Sequence, residues 1–522
     1  MAQGVNLTTI RRLLRSALRR LPRAITKQDD VGTVEPTFGS DNQDGGLFAA
    51  IAFHQHTRNC DSLSKNSNNA AEVALMKYKL HNPLAMRIAL ACAVPALSVI
   101  SSTAHSLPLY SDSATTIDAK LAASFGIFSS REKYAQTPNQ TKGSATWQEA
   151  VFQYGLDIKH SSEDYGRTYA ALNWVSSATF GDGDAAGWSI GDERTTKIED
   201  AYAGWKSGNL IPTLGEDGME ISFGRQNIVV GDGFIISGDA LDFGKGLLDG
   251  HLNRGGAYYL TGRKNFDQTA VLRLGGAQGL RGDLMWLKSD NRAQASPETV
   301  VATLENVTEK GTVGLTAVKV VDTDKEFAEI LYPERKDMKI YSVRAKGDAG
   351  VPGLFLAGEY AKERKSTTDE NAWYLEAGWT FNDARFTPKV NYRYSRFSEA
   401  YDPLFYGNGR ELGTWFQGEV AANYAGPFNT NATIQQVGLK LALSPSFNAG
   451  ALLYKFDTIK KDTLDLSGKE LDIYGEWTVN EHLLVLPLVG FYKPDNSAEN
   501  GGSQLGSNRT NVYAQLLFVT NF

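Results

Sequence analysis

Asn511-Val512-Tyr513-Ala514-Gln515-Leu516-Leu517-Phe518-Val519-Thr520-Asn521-Phe522 is an alternating segment whose last residue is phenylalanine. Val512, Ala514, Leu516, Phe518 and Phe522 share one face, and Asn511, Tyr513 and Gln515 share the other. A period of two over roughly one bilayer-spanning strand places apolar side chains toward lipid and polar ones toward a wet lumen. A terminal aromatic on the lipid face suits an interfacial girdle. An edge strand of a soluble sandwich would also alternate, so the rest of the chain has to decide.

The 522 residues read as one long run of strands without a linker, and mean hydropathy is −0.31. No apolar run of about twenty residues exists, which excludes helical spanning. A barrel escapes that test because alternation halves the apparent hydrophobicity of each span. The 51 glycines, 22 tyrosines, 24 phenylalanines and 16 prolines fit strands with aromatic girdles and tight turns.

A targeting segment is internal. Met76 to Arg87 forms a basic region, Ile88 to Ile100 an apolar one, and Ala104-His105-Ser106 a small-x-small cleavage site. Residues 76–106 are therefore expected to be a signal peptide, residues 1–75 an over-extended start, and residues 107–522 the barrel. A cytoplasmic or transit-like extension is the rival for 1–75, since Arg11, Arg12, Arg15, Arg19, Arg20 and Arg23 interleave with leucines. Both cysteines, Cys60 and Cys92, precede the cleavage site, so no disulfide or Cys-based metal site is expected in the barrel. Residues 107–522 hold 41 basic and 52 acidic side chains, a net charge of −11 that argues against nucleic-acid binding.

Alternation predicts spans at 117–128, 147–160, 166–178, 197–207, 219–227, 253–263, 269–277, 281–289, 312–320, 339–346, 353–363, 372–381, 386–395, 432–443, 446–457, 469–478, 482–491 and 511–522. The expected fold is all-β: a transmembrane antiparallel up-and-down barrel of about eighteen strands. Short turns such as 161–165, 382–385, 444–445 and 480–481 are expected at the periplasm, and long polar connections outside. Residues 413–424 resemble a strand, but counting them makes the total odd, so they are assigned to a long external loop. The connections at 278–280 and 290–311 have the wrong relative lengths for their sides.

A Lys or Arg on the lipid face at mid-bilayer costs about 2–4 kcal/mol, so charges should point inward. Lys159, Arg167, Lys206, Arg273, Arg344, Lys346, Lys389, Arg393, Lys440 and Lys455 are expected in the lumen. Asp157, Asp200, Asp283, Glu359, Glu376, Glu470, Asp472 and Glu476 join them. Trp373, Leu375, Ala377, Trp379, Val390, Tyr392 and Tyr394 should meet lipid.

Two local patterns resemble the alginate-export family of outer-membrane porins. One is Asp200-Ala201-Tyr202-Ala203-Gly204-Trp205 followed by Ile221-Ser222-Phe223-Gly224-Arg225-Gln226; the other is Tyr401-Asp402-Pro403-Leu404-Phe405-Tyr406-Gly407 continuing to Trp415. The resemblance runs from near residue 117 to the end and implies an eighteen-strand monomeric barrel. It also implies an arginine-lined lumen that conducts a polyuronate. The short late turn at Asn480-Glu481 and the mixed luminal charge depart from that pattern. Strict alternation would aim Arg225 at lipid, so a bulge near Gly224 is needed to turn it inward.

The expected function is a channel in the bacterial outer membrane for a hydrophilic, anionic solute, either an acidic polysaccharide such as alginate or an organic acid. The expected pore-lining residues are Arg225, Arg273, Arg344, Lys346, Lys389, Arg393, Lys440, Glu359 and Glu376. Outer-membrane lipid and lipopolysaccharide are the expected surroundings. No cofactor, metal site, catalytic residue or nucleic-acid partner is expected. His160, His251 and His482 form no metal pair, and Gly231-Asp232-Gly233 with Ser237-Gly238-Asp239 lacks calcium-loop spacing. A barrel lipase or protease and a structural barrel with an occluded lumen are the alternatives. Amino-terminal sequencing of protein from isolated outer membranes should begin near residues 105–107; a chain retaining Met1 would contradict the internal signal.

Overall fold

The computed structural model describes residues 107–407, 418–462 and 464–522; the expectations for 1–75 and 76–106 fall outside them. The described chain is a closed antiparallel barrel of eighteen strands with one short added strand. That strand, β1 (Leu107–Ser111), pairs with the beginning of β2 (Thr115–Ser130). The barrel strands continue with β3 (Ala145–Ser162), β4 (Gly166–Gly181), β5 (Arg194–Lys206), β6 (Met219–Gln226), β7 (Phe266–Leu274), β8 (Gly279–Lys288) and β9 (Glu298–Thr308). They go on through β10 (Gly311–Asp322), β11 (Lys339–Gly347), β12 (Leu354–Arg364), β13 (Asp369–Thr380), β14 (Lys389–Phe397), β15 (Ala432–Ser444), β16 (Phe447–Thr458), β17 (Gly468–Asn480), β18 (Leu483–Pro494) and β19 (Asn511–Asn521).

Each strand pairs with its sequence neighbours, and β19 returns to β2 with Tyr513 opposite Ser130 and Asn521 opposite Ala122. Closure matters because hydrocarbon offers no partner to an unpaired peptide group. β1 occupies the stretch of β2 that β19 does not reach, with Leu107 opposite Ala119. One end of the barrel carries turns as short as Glu309-Lys310 and Glu481-His482, and the other carries the long loops. By the usual asymmetry the short-turn end faces the periplasm.

The terminal segment behaves as its alternation requires. Val512 is exposed on the outside, while Asn511, Tyr513 and Gln515 are buried inside. Leu375, Trp379, Val390 and Tyr392 are likewise exposed to the lipid side, and Glu376 and Arg393 are buried.

One expected span is misplaced and one strand was not expected. Residues 253–263 form no strand; they belong to the 227–265 connection, whose apolar Tyr258, Tyr259 and Leu260 are buried inside the barrel rather than facing lipid. The missing strand is β9, where Thr299, Thr303 and Glu305 interrupt the apolar residues and weakened the signal. The two errors cancel in the count and displace the register between β6 and β10, where the loop lengths had already conflicted. Lys455 is the other correction. It shares the outward face with exposed Leu453, and Tyr454 and Phe456 take the inward positions. The described part of 413–424 is loop, with a π-helical turn at Ala421–Ala425.

Leu375, near the middle of β13, is 63% exposed. Leu375→Arg should lower the unfolding free energy in bilayers by about 2–4 kcal/mol, and Leu280→Arg, beside the short-turn end, by about 1 kcal/mol or less. Equal costs in urea titrations would contradict this membrane placement.

Candidate functional site

Two long connections fold into the bore instead of standing above it. Residues 227–265 and the described parts of 398–431 are mostly buried. They pair with each other: Ser237 N–H donates to the Phe405 carbonyl at 2.7 Å, and Gly407 N–H donates to the Gly233 carbonyl at 2.7 Å. Against β2, β3 and β19 they build an aromatic cluster. Phe128 stacks on Trp147 at 5.1 Å, and Tyr424 lies 5.6 Å from both Trp147 and Tyr513. The indole of Trp188 reaches the Asn423 carbonyl at 3.2 Å.

Buried ion pairs tie the first loop to the strand heads. Arg254, on the loop, donates to Asp290 at 3.1 Å and lies 3.4 Å from Asp239 and 3.8 Å from Asp242. Arg225 and Arg263 meet the same Asp290, each at 3.0 Å. The bulge expected near Gly224 is present: the β6–β7 register shifts between Gly224 and Gln226, and Gly224 has φ +118°. A side chain there would also meet the Ala201 carbonyl at 2.3 Å, so glycine is required. Arg225 is consequently buried among Glu199, Asp267 and Asp290, in the loop anchor and away from the vestibule described next.

Below the loops, toward the short-turn end, lies a vestibule of about 500 Å³ on the β5–β12 side. Arg273, Arg344, Lys346 and Glu359 all border it, with Lys206, Arg281, Glu220, Asp283 and Glu305. Its roof is the loop segment Val229 to Asp232, where Gly231 (φ +60°) would place a Cβ 2.9 Å from the Arg344 side chain. Asp232 is ion-paired with Lys346. Arg344 is paired with Glu305, and Arg273 lies 3.7 Å from Glu220.

The remaining expected pore residues stand on other strands of the wall. Arg393 bonds Glu376 at 3.3 Å, and Lys440 bonds Glu476 at 2.8 Å. Asn391 bridges Glu376 and Gln436, each at 3.0 Å. The Lys389 ammonium lies 6.0 Å from the Phe355 ring. Glu359 accepts from Ser342 at 2.7 Å. Sequence reasoning missed Glu305 and Asp232, which neutralise Arg344 and Lys346. The first sits on the unrecognised β9, and the second on a loop expected outside.

A second cavity of about 410 Å³ opens at the long-loop end, bordered by Tyr332, Arg335, Lys365, Tyr401 and Lys460. Between the cavities stands an aromatic septum. Phe234 lies 5.3 Å from Tyr374 and 6.0 Å from Phe397, which is 5.9 Å from Tyr401. Tyr374 borders the vestibule and Tyr401 the outer cavity.

No protein-family profile and no curated protein sequence matches the chain. Among solved structures it is similar to Acinetobacter baumannii OccAB2, with a TM-score of 0.50, 9% identity, and 77% of this chain and 98% of that one covered. Acinetobacter baumannii OccAB4 gives 0.49 and 10% identity over 77% and 98% of the two chains. A BenF-like porin from Pseudomonas fluorescens Pf-5 gives 0.48 and 11% identity over 78% and 99%.

Burial pushes the Asp239 and Asp242 carboxyls up to about 7 despite Arg254. Asp290 stays below the usual carboxylate range: burial opposes this, but Arg254, Arg225 and Arg263 outweigh it. A raised folded-state carboxyl contributes stability that is complete below its unfolded value and lost as pH rises through about 7. Asp290 has the opposite sign and acts only at acidic pH. Amide exchange across 239–254, corrected for intrinsic rate, should therefore quicken from about pH 5 to about pH 7 and level off above that. Asp239→Asn/Asp242→Asn should flatten the trend, and a loop that tightens with rising pH would contradict the anchor. Eighteen strands closed in register, an apolar outside and a polar inside make this chain a bacterial outer-membrane β-barrel with a porin-like fold.

Proposed function

We propose that the protein is a monomeric outer-membrane channel for small anionic solutes such as organic acids, with its selective surface in the vestibule. One observation carries the charge preference. Lys206, Arg273, Arg281 and Lys346 side chains are 37, 41, 42 and 44% exposed, whereas Glu220, Asp232, Asp283 and Glu305 are 15, 9, 27 and 11% exposed. Bases and acids are nearly balanced in number, but these four bases reach further into the cavity than their acids; Arg344, 9% exposed, stays back with Glu305. A solute in the cavity meets ammonium and guanidinium groups first, in a narrow space where fixed charge is screened less than on an open surface.

Size favours a small solute over a polyuronate. The vestibule falls within the roughly 300–1,000 Å³ of small-molecule sites. A polymer would need the bore cleared along its length, and both inward loops would have to leave. A small organic acid needs only the septum around Phe234 to yield, linking the outer cavity to the vestibule along β12 to β14.

The test is reversal potential in a salt gradient across a planar bilayer. The parent protein should prefer anions, and Arg273→Glu/Arg281→Glu should abolish or invert the preference. Lys389→Glu/Arg393→Glu should act less, because Arg393 is buried against Glu376. Cation preference in the parent would overturn the anionic reading, and an electrically silent barrel would favour an occluded structural role.

A further inference from the structure

The outer surface carries two groups of charge that neither the lipid belt nor the lumen accounts for. Lys319 on β10 stands directly opposite Lys339 on β11, which stands directly opposite Arg364 on β12. All three are exposed, on the outward face that carries Leu315, Tyr341 and Tyr360. The pattern recurs on the far wall. Lys455, Lys469 and Lys493 are successive ladder partners on β16, β17 and β18, outward with Leu453, Ile473 and Phe491. Both trios lie toward the long-loop ends of their strands.

Like charges directly opposite one another weaken a sheet. With strands about 4.8 Å apart, each trio puts three positive charges within about 10 Å. Several other basic groups on the wall do have an acidic partner. The luminal Arg344, Arg393 and Lys440 each have one, and outward Lys362 bonds Asp369 at 2.9 Å. Asp369 stands opposite Arg364 yet is committed to Lys362, while Arg364 leans toward the Tyr341 ring at 5.6 Å. Lys455 bonds Asp457 at 2.8 Å, and Lys493 reaches the Asn508 carbonyl. Among the described residues, Lys319, Lys339, Arg364 and Lys469 have no acidic partner within salt-bridge distance.

We propose that each trio binds a phosphate group of lipopolysaccharide in the outer leaflet, whose acyl chains lie on the apolar belt immediately below. The charge is complementary, the rows sit at the outer end of the belt, and the next outward ladder positions toward the membrane are apolar: Leu453, Leu471 and Phe491 pair in one continuous row. The partner thus supplies from outside the counter-charge that the ladder omits. This assignment rests on the orientation of the barrel and is independent of the channel reading.

The decisive comparison uses full-length protein and the variants Lys319→Gln/Lys339→Gln/Arg364→Gln and Lys455→Gln/Lys469→Gln/Lys493→Gln. Electrophoretic heat-modifiability verifies that each barrel has folded. Native mass spectrometry would count adducts of phosphorylated lipopolysaccharide, its dephosphorylated form and phosphatidylglycerol. The parent should retain the phosphorylated form preferentially, each variant should lose most of those adducts, and added salt should weaken them. In lipid-free detergent the variants should be at least as thermostable as the parent, because removing mutual repulsion costs nothing there. Unchanged adducts in both variants would overturn the proposal. So would parent protein retaining dephosphorylated lipid or phosphatidylglycerol equally well. A variant that folds only poorly in lipid-free detergent would show the cations to be structural, with the same consequence.

Discussion

A bilayer gives a peptide group nothing to bond with, so the register in which β19 meets β2 is the constraint on which everything else depends. Once the sheet closes, each strand has a lipid side and a lumen side, and one position of slip would exchange them. Outside, Phe125, Leu315, Leu375 and Phe491 can be apolar because no water has to be displaced from them. Inside, the wall can bear arginines and carboxylates in quantity because they face one another across a space that excludes lipid.

Closure also creates a bore that side chains alone do not fill, and the chain fills it with its own loops. The 227–265 connection is held by opposite charges at its Arg254 anchor and by aromatic packing of Tyr258 against Tyr424 and of Tyr259 against Phe128. What stays open lies to one side, above the short turns and beneath the roof formed by Val229 to Asp232. Inward bases reaching past their carboxylate partners give that space its character. The same geometry makes Phe234 a partition between two cavities, because the rings on either side of it belong to the wall while Phe234 belongs to the loop.

Much of the barrel was readable from alternation, since period two records directly which side meets lipid. The terminal strand, Leu375 with Glu376, and Tyr392 with Arg393 show this plainly. The signal failed where burial did not come from the membrane. Tyr258, Tyr259 and Leu260 read as strand because they are apolar, but a loop packed inside the bore is as dry as a strand packed against lipid. The polar Thr299, Thr303 and Glu305 of β9 were passed over for the converse reason. Vestibule positions on recognised strands, such as Arg273 and Lys346, could be chosen from sequence. Their partners could not, because Glu305 lay on the missed strand and Asp232 reaches Lys346 only through a loop fold that alternation does not encode. The displacement of Arg225 into the loop anchor likewise depends on tertiary contacts. Only the need for a bulge at Gly224 was visible.

A barrel so thoroughly packed conducts only if water links the outer cavity to the vestibule past Phe234. Single-channel recording of the purified full-length protein in a planar bilayer addresses it directly. Discrete, reproducible current steps are expected, and they should diminish when a small organic acid occupies the basic vestibule. Heat-modifiable, correctly folded protein that inserts and never conducts would contradict it.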